Sequence, residues 1–416
     1  MPGGTWRDNP DKCILFDNGA YNIKYGTTAT EGDPKTMFNA IGKDRSTLSF
    51  FVGNEVLEKL NKGQTNLTLT FPLVRGLLHD SDIETMIWKK IFSSFGKKKK
   101  VDEKTSCFCL TTPPVLPDIV LERYGEMVFE DFGFDAFFKT SGQSMLCEFA
   151  KDYFKDDEID DECQLILDSG FSFTYAVPIF GGMPIKHAST RIDIGGKLMT
   201  NLLTEIISYK EYNLTGETLL VNDIKEHLCY VSTEFDNDLE KCKNKDTEIL
   251  KEYVLPDYNT TKKGYPRDFD PMRQSAEQII TMGNSRFTVP EVLFNPSNIN
   301  IHQAGIPEMI SQCINKCPEA MENLLYRNII ITGGNANFTG FAERCELEMI
   351  GDESIQHPTG FKPDSADLRI FLTPNPEFNT WHGLQMFTKR DDFEDYVVTK
   401  QEYEDEGVRA FRRYNL

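Results

Sequence analysis

The sequence predicts an α/β protein of two related lobes facing each other across a cleft, and three observations carry that expectation. The chain has 416 residues, whereas single hydrophobic cores stop growing near ~250–300 residues. The run Ile14-Leu15-Phe16-Asp17-Asn18-Gly19 has a near-copy in Leu165-Ile166-Leu167-Asp168-Ser169-Gly170. Around both copies, apolar runs of strand type alternate with stretches of helical spacing.

Each copy is an apolar run that reaches an Asp and a Gly turn, followed by a second run rich in β-formers, and so reads as a β-hairpin. Between them, Ile83 to Phe95 and Asp118 to Phe132 have helical spacing, and Cys107 to Thr112 reads as a buried strand stopped by Pro113-Pro114. The charged stretch Lys151 to Glu162 separates the halves. Downstream, Gly196 to Tyr209 and Val221 to Tyr230 read as amphipathic helices, and Asn328 to Thr332 as a short strand running into Gly333-Gly334. Asp257 to Gln278, polar and holding Pro266 and Pro271, reads as an inserted surface loop. Residues 1–155 with 360–416 are therefore assigned to a first, smaller lobe, and 156–359 to a second, larger lobe carrying the 257–278 insert.

At 39% hydrophobic and 26% charged residues, the composition is that of a globular chain. The start is polar and no window approaches the ~18 apolar residues of a membrane span, so a soluble, intracellular protein without membrane contact is expected. Ten cysteines lack zinc-type pairing and are read as reduced core thiols. A net charge of −20 opposes direct nucleic-acid binding and suits basic partners such as histones. The lysine run at 97–100 reads as a solvated loop, with nuclear import or phosphate binding as the other reading.

Turns whose backbone N–H groups converge make a concavity for an anion, and glycine lets the chain approach a phosphate. Two opposed hairpins can clamp one polyphosphate, with Asp17 and Asp168 holding a hydrated Mg2+ and Lys24 neutralising phosphate oxygens. A third piece, Thr332-Gly333-Gly334-Asn335, delivers a glycine pair to a helix beginning near Thr339 and can lie against an adenine or ribose.

These residues resemble the superfamily of actin, chaperone ATPases and hexokinase. Asp17-Asn18-Gly19 with Lys24 resembles its first phosphate loop, Asp168-Ser169-Gly170 its second, Asp193-Ile194-Gly195-Gly196-Lys197 its second connecting segment, and Thr332-Gly333-Gly334-Asn335 its adenosine loop. Within it, the runs Asp223 to Val231, Arg286 to Pro296 and Lys400 to Tyr403 are actin-like at successive positions. The resemblance implies an actin-like ATPase fold with ATP or ADP and Mg in the cleft. It also implies nucleotide contacts from Asp17, Gly19, Ala20, Tyr21, Lys24, Asp168, Gly170, Phe171, Ser172, Gly196, Lys197, Lys225, Glu226, Gly333, Gly334, Asn335 and Phe338. Gln143 takes the place of actin's water-positioning glutamine.

The departures from actin set further expectations. Where actin has a serine and a second glycine, this chain has Ala20 and Tyr21; where it has an Asp-Gly pair, this chain has Phe171-Ser172; actin's histidine is Tyr175. A carboxylate beside the metal and an imidazole able to move protons near neutral pH are thereby removed. ATP is expected to be held and hydrolysed slowly or not at all. The segment Asn39 to Phe51 is shorter than the loop with which actin grips its neighbour, so filament formation is not expected. The pattern resembles the sixth class of nuclear actin-related proteins. That likeness implies a nuclear scaffold in a chromatin-remodelling complex that exchanges a variant histone into nucleosomes, beside the remodeller ATPase and a small zinc-containing subunit. A cytoskeletal, filament-associated ATPase is the alternative reading.

Overall fold

The computed structural model describes residues 6–412 apart from 8, 65, 96–101, 158, 245–247, 274–275 and 352–367. The lysine run at 97–100 and the expected lobe boundary at 359/360 lie outside the described residues.

Two sheets, built on the same plan, form the centres of the lobes. In the first, Cys13–Asn18 pairs antiparallel with Asn22–Thr27 and parallel with Cys107–Thr112, which in turn runs parallel to Ala136–Ser141. In the second, Cys163–Ser169 pairs antiparallel with Thr174–Phe180 and parallel with Ile329–Thr332, which runs parallel to Ile370–Leu372. Strands buried on both faces need continuous apolar runs, and Cys13 to Phe16, Leu165 to Leu167 and Ile329 to Ile331 supply them. Because the plans match, the registers match. Asp17 stands opposite Lys24 and Thr111, and Asp168 opposite Tyr175 and Thr332.

The first lobe is filled largely by aromatic rings. Phe16 meets Phe108 edge-on at 4.9 Å and Trp88 at 5.8 Å, and each such ring removes ~150–250 Å² from water. The second lobe packs aliphatic side chains, among them Leu167, Leu203, Val221, Val292 and Ile310. Helices Gly142–Tyr153 and Asn379–Phe387 cross closely where a β-carbon at Gly383 would collide with the Met145 carbonyl.

The helices predicted from spacing form within a few residues of the expected bounds: Ser81–Ser94, Asp118–Gly125 continuing as a wider-wound segment to Phe132, Gly196–Lys210 and Thr218–Leu228. The cysteines are free thiols, most of them buried. No helix among the described residues is long and apolar enough to cross a membrane.

Two expectations are corrected. The stretch 257–278 is not wholly loop: Tyr265–Asp268 is the edge strand of a three-stranded antiparallel sheet, paired with Lys251–Val254. An edge strand tolerates Pro266 and needs no apolar alternation, and Arg267 fixes it through ion pairs to Glu252 and Glu277 at 2.6 and 2.7 Å. Residues 370–372, assigned to the first lobe, extend the second sheet instead, so the chain returns to the first lobe only beyond Leu372. A three-residue strand carries too little pattern to reveal which sheet it joins.

Candidate functional site

The hairpin turns of the two sheets face each other at the cleft. In the first, register places two partners on Asp17. The Thr111 hydroxyl donates to Oδ1 at 2.8 Å and the Lys24 ammonium lies 3.1 Å from Oδ2. Only glycine fits at position 19, since a β-carbon there would stand 2.6 Å from the Asn22 carbonyl oxygen.

In the second hairpin Tyr175 occupies the register position that Lys24 holds in the first. Asp168 therefore has no cation beside it on its own sheet; instead Gln143, from the first turn of helix Gly142–Tyr153, reaches across the cleft and donates Nε2 to Oδ2 at 2.7 Å. Burial, and then the charge of Asp17, push the Asp168 carboxyl up to about 6, against the pull of Gln143 and Lys24.

The third piece closes on the second hairpin. Gly333 has φ 92°, and a β-carbon there would strike the Ser169 carbonyl. Asn335 donates Nδ2 to Ser169 Oγ at 3.1 Å and to the Gly170 carbonyl at 2.8 Å. Helix Gly196–Lys210 butts against the same turn, its first amides donating to the carbonyls of Gly170 and Phe171 at 3.0 and 2.8 Å.

Between these elements lies a cavity of about 480 Å³, within the ~300–1,000 Å³ typical of ligand sites. It is lined by Asp17, Gly19, Ala20, Tyr21, Lys24, Gln143, Asp168, Gly170, Phe171, Ser172, Gly196, Lys225, Glu226, Gly333, Gly334, Asn335 and Phe338, so the structure brings together seventeen of the residues singled out from the sequence. Lys197 is the exception: it is exposed, and its ammonium sits 5.6 Å from the centre of the Phe71 ring. Lys225 lines the wall with its charge committed elsewhere. Its three N–H groups go to the Gly196 carbonyl, Thr200 and Asn222 at 3.1, 3.0 and 2.9 Å, and burial lowers its pKa to about 8.

The cleft's own atoms fit a polyphosphate nucleotide with magnesium. Two carboxylates approach closely enough for one to raise the other's pKa, which is where a divalent cation is most stabilising. Among the described residues, the amides of Ala20, Tyr21, Phe171 and Ser172 find no acceptor, which leaves them for an anion. A β-carbon at Gly334 would meet nothing within 4 Å, so that wall has room for a flat ring. Among the described residues, the buried Gln143 Oε1 meets no donor, and it is the acceptor that an attacking water requires.

Asn18, Thr111, Asn222, Pro376 and Phe378 also line the cavity and were missed by the sequence reading. Asn18 and Thr111 sit in the quoted strands and were within reach of it. Pro376 and Phe378 come from a segment without motif, brought in by the Thr332 hydroxyl, which donates to the Pro376 carbonyl at 2.6 Å.

Comparison with known proteins agrees with this geometry. The family model described as Actin matches residues 9–415. The chain is 34% identical to Actin-related protein 6 of Arabidopsis thaliana, over 96% of this chain and 98% of that one. It is 32% identical to Actin-related protein 6 of Drosophila melanogaster over 96% and 98%, and 32% identical to Actin-like protein ARP6 of Yarrowia lipolytica over 96% of each. On a match that spans nearly every residue and includes both hairpins, the chain belongs to the actin family.

Proposed function

We propose that this actin-related protein binds ATP or ADP with magnesium as a structural ligand, hydrolyses it slowly or not at all, and serves as a nuclear scaffold. Its setting would be a remodelling complex that exchanges a variant histone into nucleosomes, beside the remodeller ATPase and a small zinc-containing subunit. Asp17 and Asp168 would hold the metal through water, the hairpin amides the phosphates, and Gly334 and Phe338 the base. Bound nucleotide would then stabilise the closed two-lobe state by mass action.

The observation that carries the reading is an imbalance between the matched hairpins. Asp17 has Lys24 at 3.1 Å, whereas the equivalent register position beside Asp168 is Tyr175, and Phe171 follows its turn. Hydrolysis of ATP is mainly positioning and charge neutralisation around an in-line water. Gln143 remains to orient that water, but its Nε2 is engaged by Asp168, and Phe171 and Tyr175 stand where a further carboxylate and an imidazole would assist it. Binding is favoured over turnover.

The test is the nucleotide content of the purified protein, measured by chromatography of the denatured supernatant before and after long incubation with Mg-ATP. Retained, uncleaved ATP is expected; steady ADP production would return the filament-associated ATPase reading. Capture of remodeller subunits from nuclear extract by the tagged chain tests the scaffold role.

A further inference from the structure

Beneath the first hairpin, Glu84 Oε2, Asn39 Oδ1 and Asn18 Oδ1 are buried and without a hydrogen-bond donor among the described residues. Glu84 belongs to the first turn of helix Ser81–Ser94 and is fully buried. Its other oxygen, Oε1, accepts from Asn18 Nδ2 at 2.7 Å and from the Trp88 indole at 3.1 Å. The Asn39 side chain lies against the same carboxyl and donates its Nδ2 to the Gly19 carbonyl at 3.0 Å. This one acid thus touches Asn18, which lines the cavity, and Asn39, the partner of Gly19, which forms its turn.

A buried oxygen without a donor is costly, and a carboxylate here would be short of one at Oε2 while two amide oxygens nearby are short as well. One proton on Glu84 supplies a donor where the deficit lies. We propose that Glu84 is a neutral carboxylic acid and a positioning residue, which sets the shape of the phosphate-binding turn through Asn18 and Asn39. The inference rests on the cleft being a nucleotide site.

The surroundings agree. Burial pushes the Glu84 carboxyl up to about 7, against the pull of Asn18, Trp88 and Asn39. The titratable group facing it from a neighbouring element is the buried Tyr124 phenol of helix Asp118–Gly125. The Asp17–Lys24 ion pair lies one residue along the hairpin from Asn18. An ionised Glu84 would add negative charge beneath an anion site, so affinity for nucleotide should fall as that proton is lost. Ionisation of Asp168, at lower pH, acts in the opposite direction by strengthening the hold on metal.

Binding of a fluorescent Mg-ATP analogue to the full chain is measured at about pH 6 and about pH 8.5 for the unaltered protein, Glu84→Gln and Glu84→Leu. Glu84→Gln keeps both an acceptor and a donor, so its affinity should stay within about twofold of the unaltered protein at the lower pH and exceed it by about threefold or more at the higher. Glu84→Leu should lose about tenfold at both. A ratio of unaltered protein to Glu84→Gln that does not change with pH, or a Glu84→Leu variant that binds normally, overturns the proposal.

Infrared difference spectra of the nucleotide-free proteins near neutral pH provide a readout that needs no ligand. A carboxylic C=O band present in the unaltered chain and lost in Glu84→Gln is expected, and its absence overturns the neutral acid. Should no variant bind the analogue, the cleft reading fails, while the infrared band and the amide exchange of residues 18–20 in Glu84→Leu still decide the role of Glu84.

Discussion

Tyr21 and Phe171, one from each hairpin turn, meet across the cleft with ring centroids 4.8 Å apart. Phe38 and Phe71 extend the contact at 5.3 and 5.7 Å, and Asn222 of the second lobe donates to the Tyr21 hydroxyl at 3.2 Å. The substitutions that remove actin's carboxylate and second glycine therefore do more than subtract. They join the lobes by an apolar contact directly beside the two hairpin turns.

That contact should slow exchange of whatever the cleft holds. A ring pair of this kind contributes about 0.5–1.5 kcal/mol beyond its area, so Phe171→Ala or Tyr21→Ala should speed release of a fluorescent nucleotide about three- to tenfold in stopped-flow displacement. Equal release rates would show that the rings do not latch the cleft.

Asp168 should be a liability without metal and an asset with it. Its carboxyl is raised above its unfolded value, so its contribution to stability is full below about pH 4 and is lost as pH rises to about 6. At neutral pH, Asp168→Asn should stabilise the nucleotide-free protein by on the order of 1–3 kcal/mol. The same change should abolish the rise in melting temperature caused by Mg-ATP, as read by thermal scans with and without the ligand.

Restoring the missing groups should restore turnover. Phe171→Asp with Tyr175→His returns a carboxylate and an imidazole to the second hairpin, and single-turnover hydrolysis of bound ATP should rise about tenfold or more, a modest share of what positioned acid–base groups supply. An unchanged rate would place the block elsewhere, with Gln143 the first candidate.

Gly334→Trp should leave the fold intact and empty the cleft, because the space beside that residue is open and belongs to the cavity. Circular dichroism should match the unaltered protein while co-purifying nucleotide disappears. Full retention of nucleotide would remove this wall from the site.

Much of the site was legible because its positions are fixed by short-range constraints. An Asp at the end of a doubly buried strand, followed by a glycine turn, identifies itself, and Asp17-Asn18-Gly19 and Asp168-Ser169-Gly170 do so twice, the first at a turn where only glycine fits. Lys197 failed for the complementary reason. Its neighbour Gly196 is held by contact with the second turn, but a long side chain on the first turn of a helix can point to either side, and here it lies by Phe71.

The sequence by itself determined the two-lobe α/β plan, the family, the paired hairpins and about half of the cleft-lining residues, since length, apolar runs and turn glycines act locally along the chain. Tertiary structure alone decided what required distant segments to meet. Residues 370–372 found the second sheet, Gln143 reached across to Asp168, and Tyr21 met Phe171. Only packing could place Glu84 under Asn18, because the cost of burying an acid depends on which donors surround it, and no spacing rule records those.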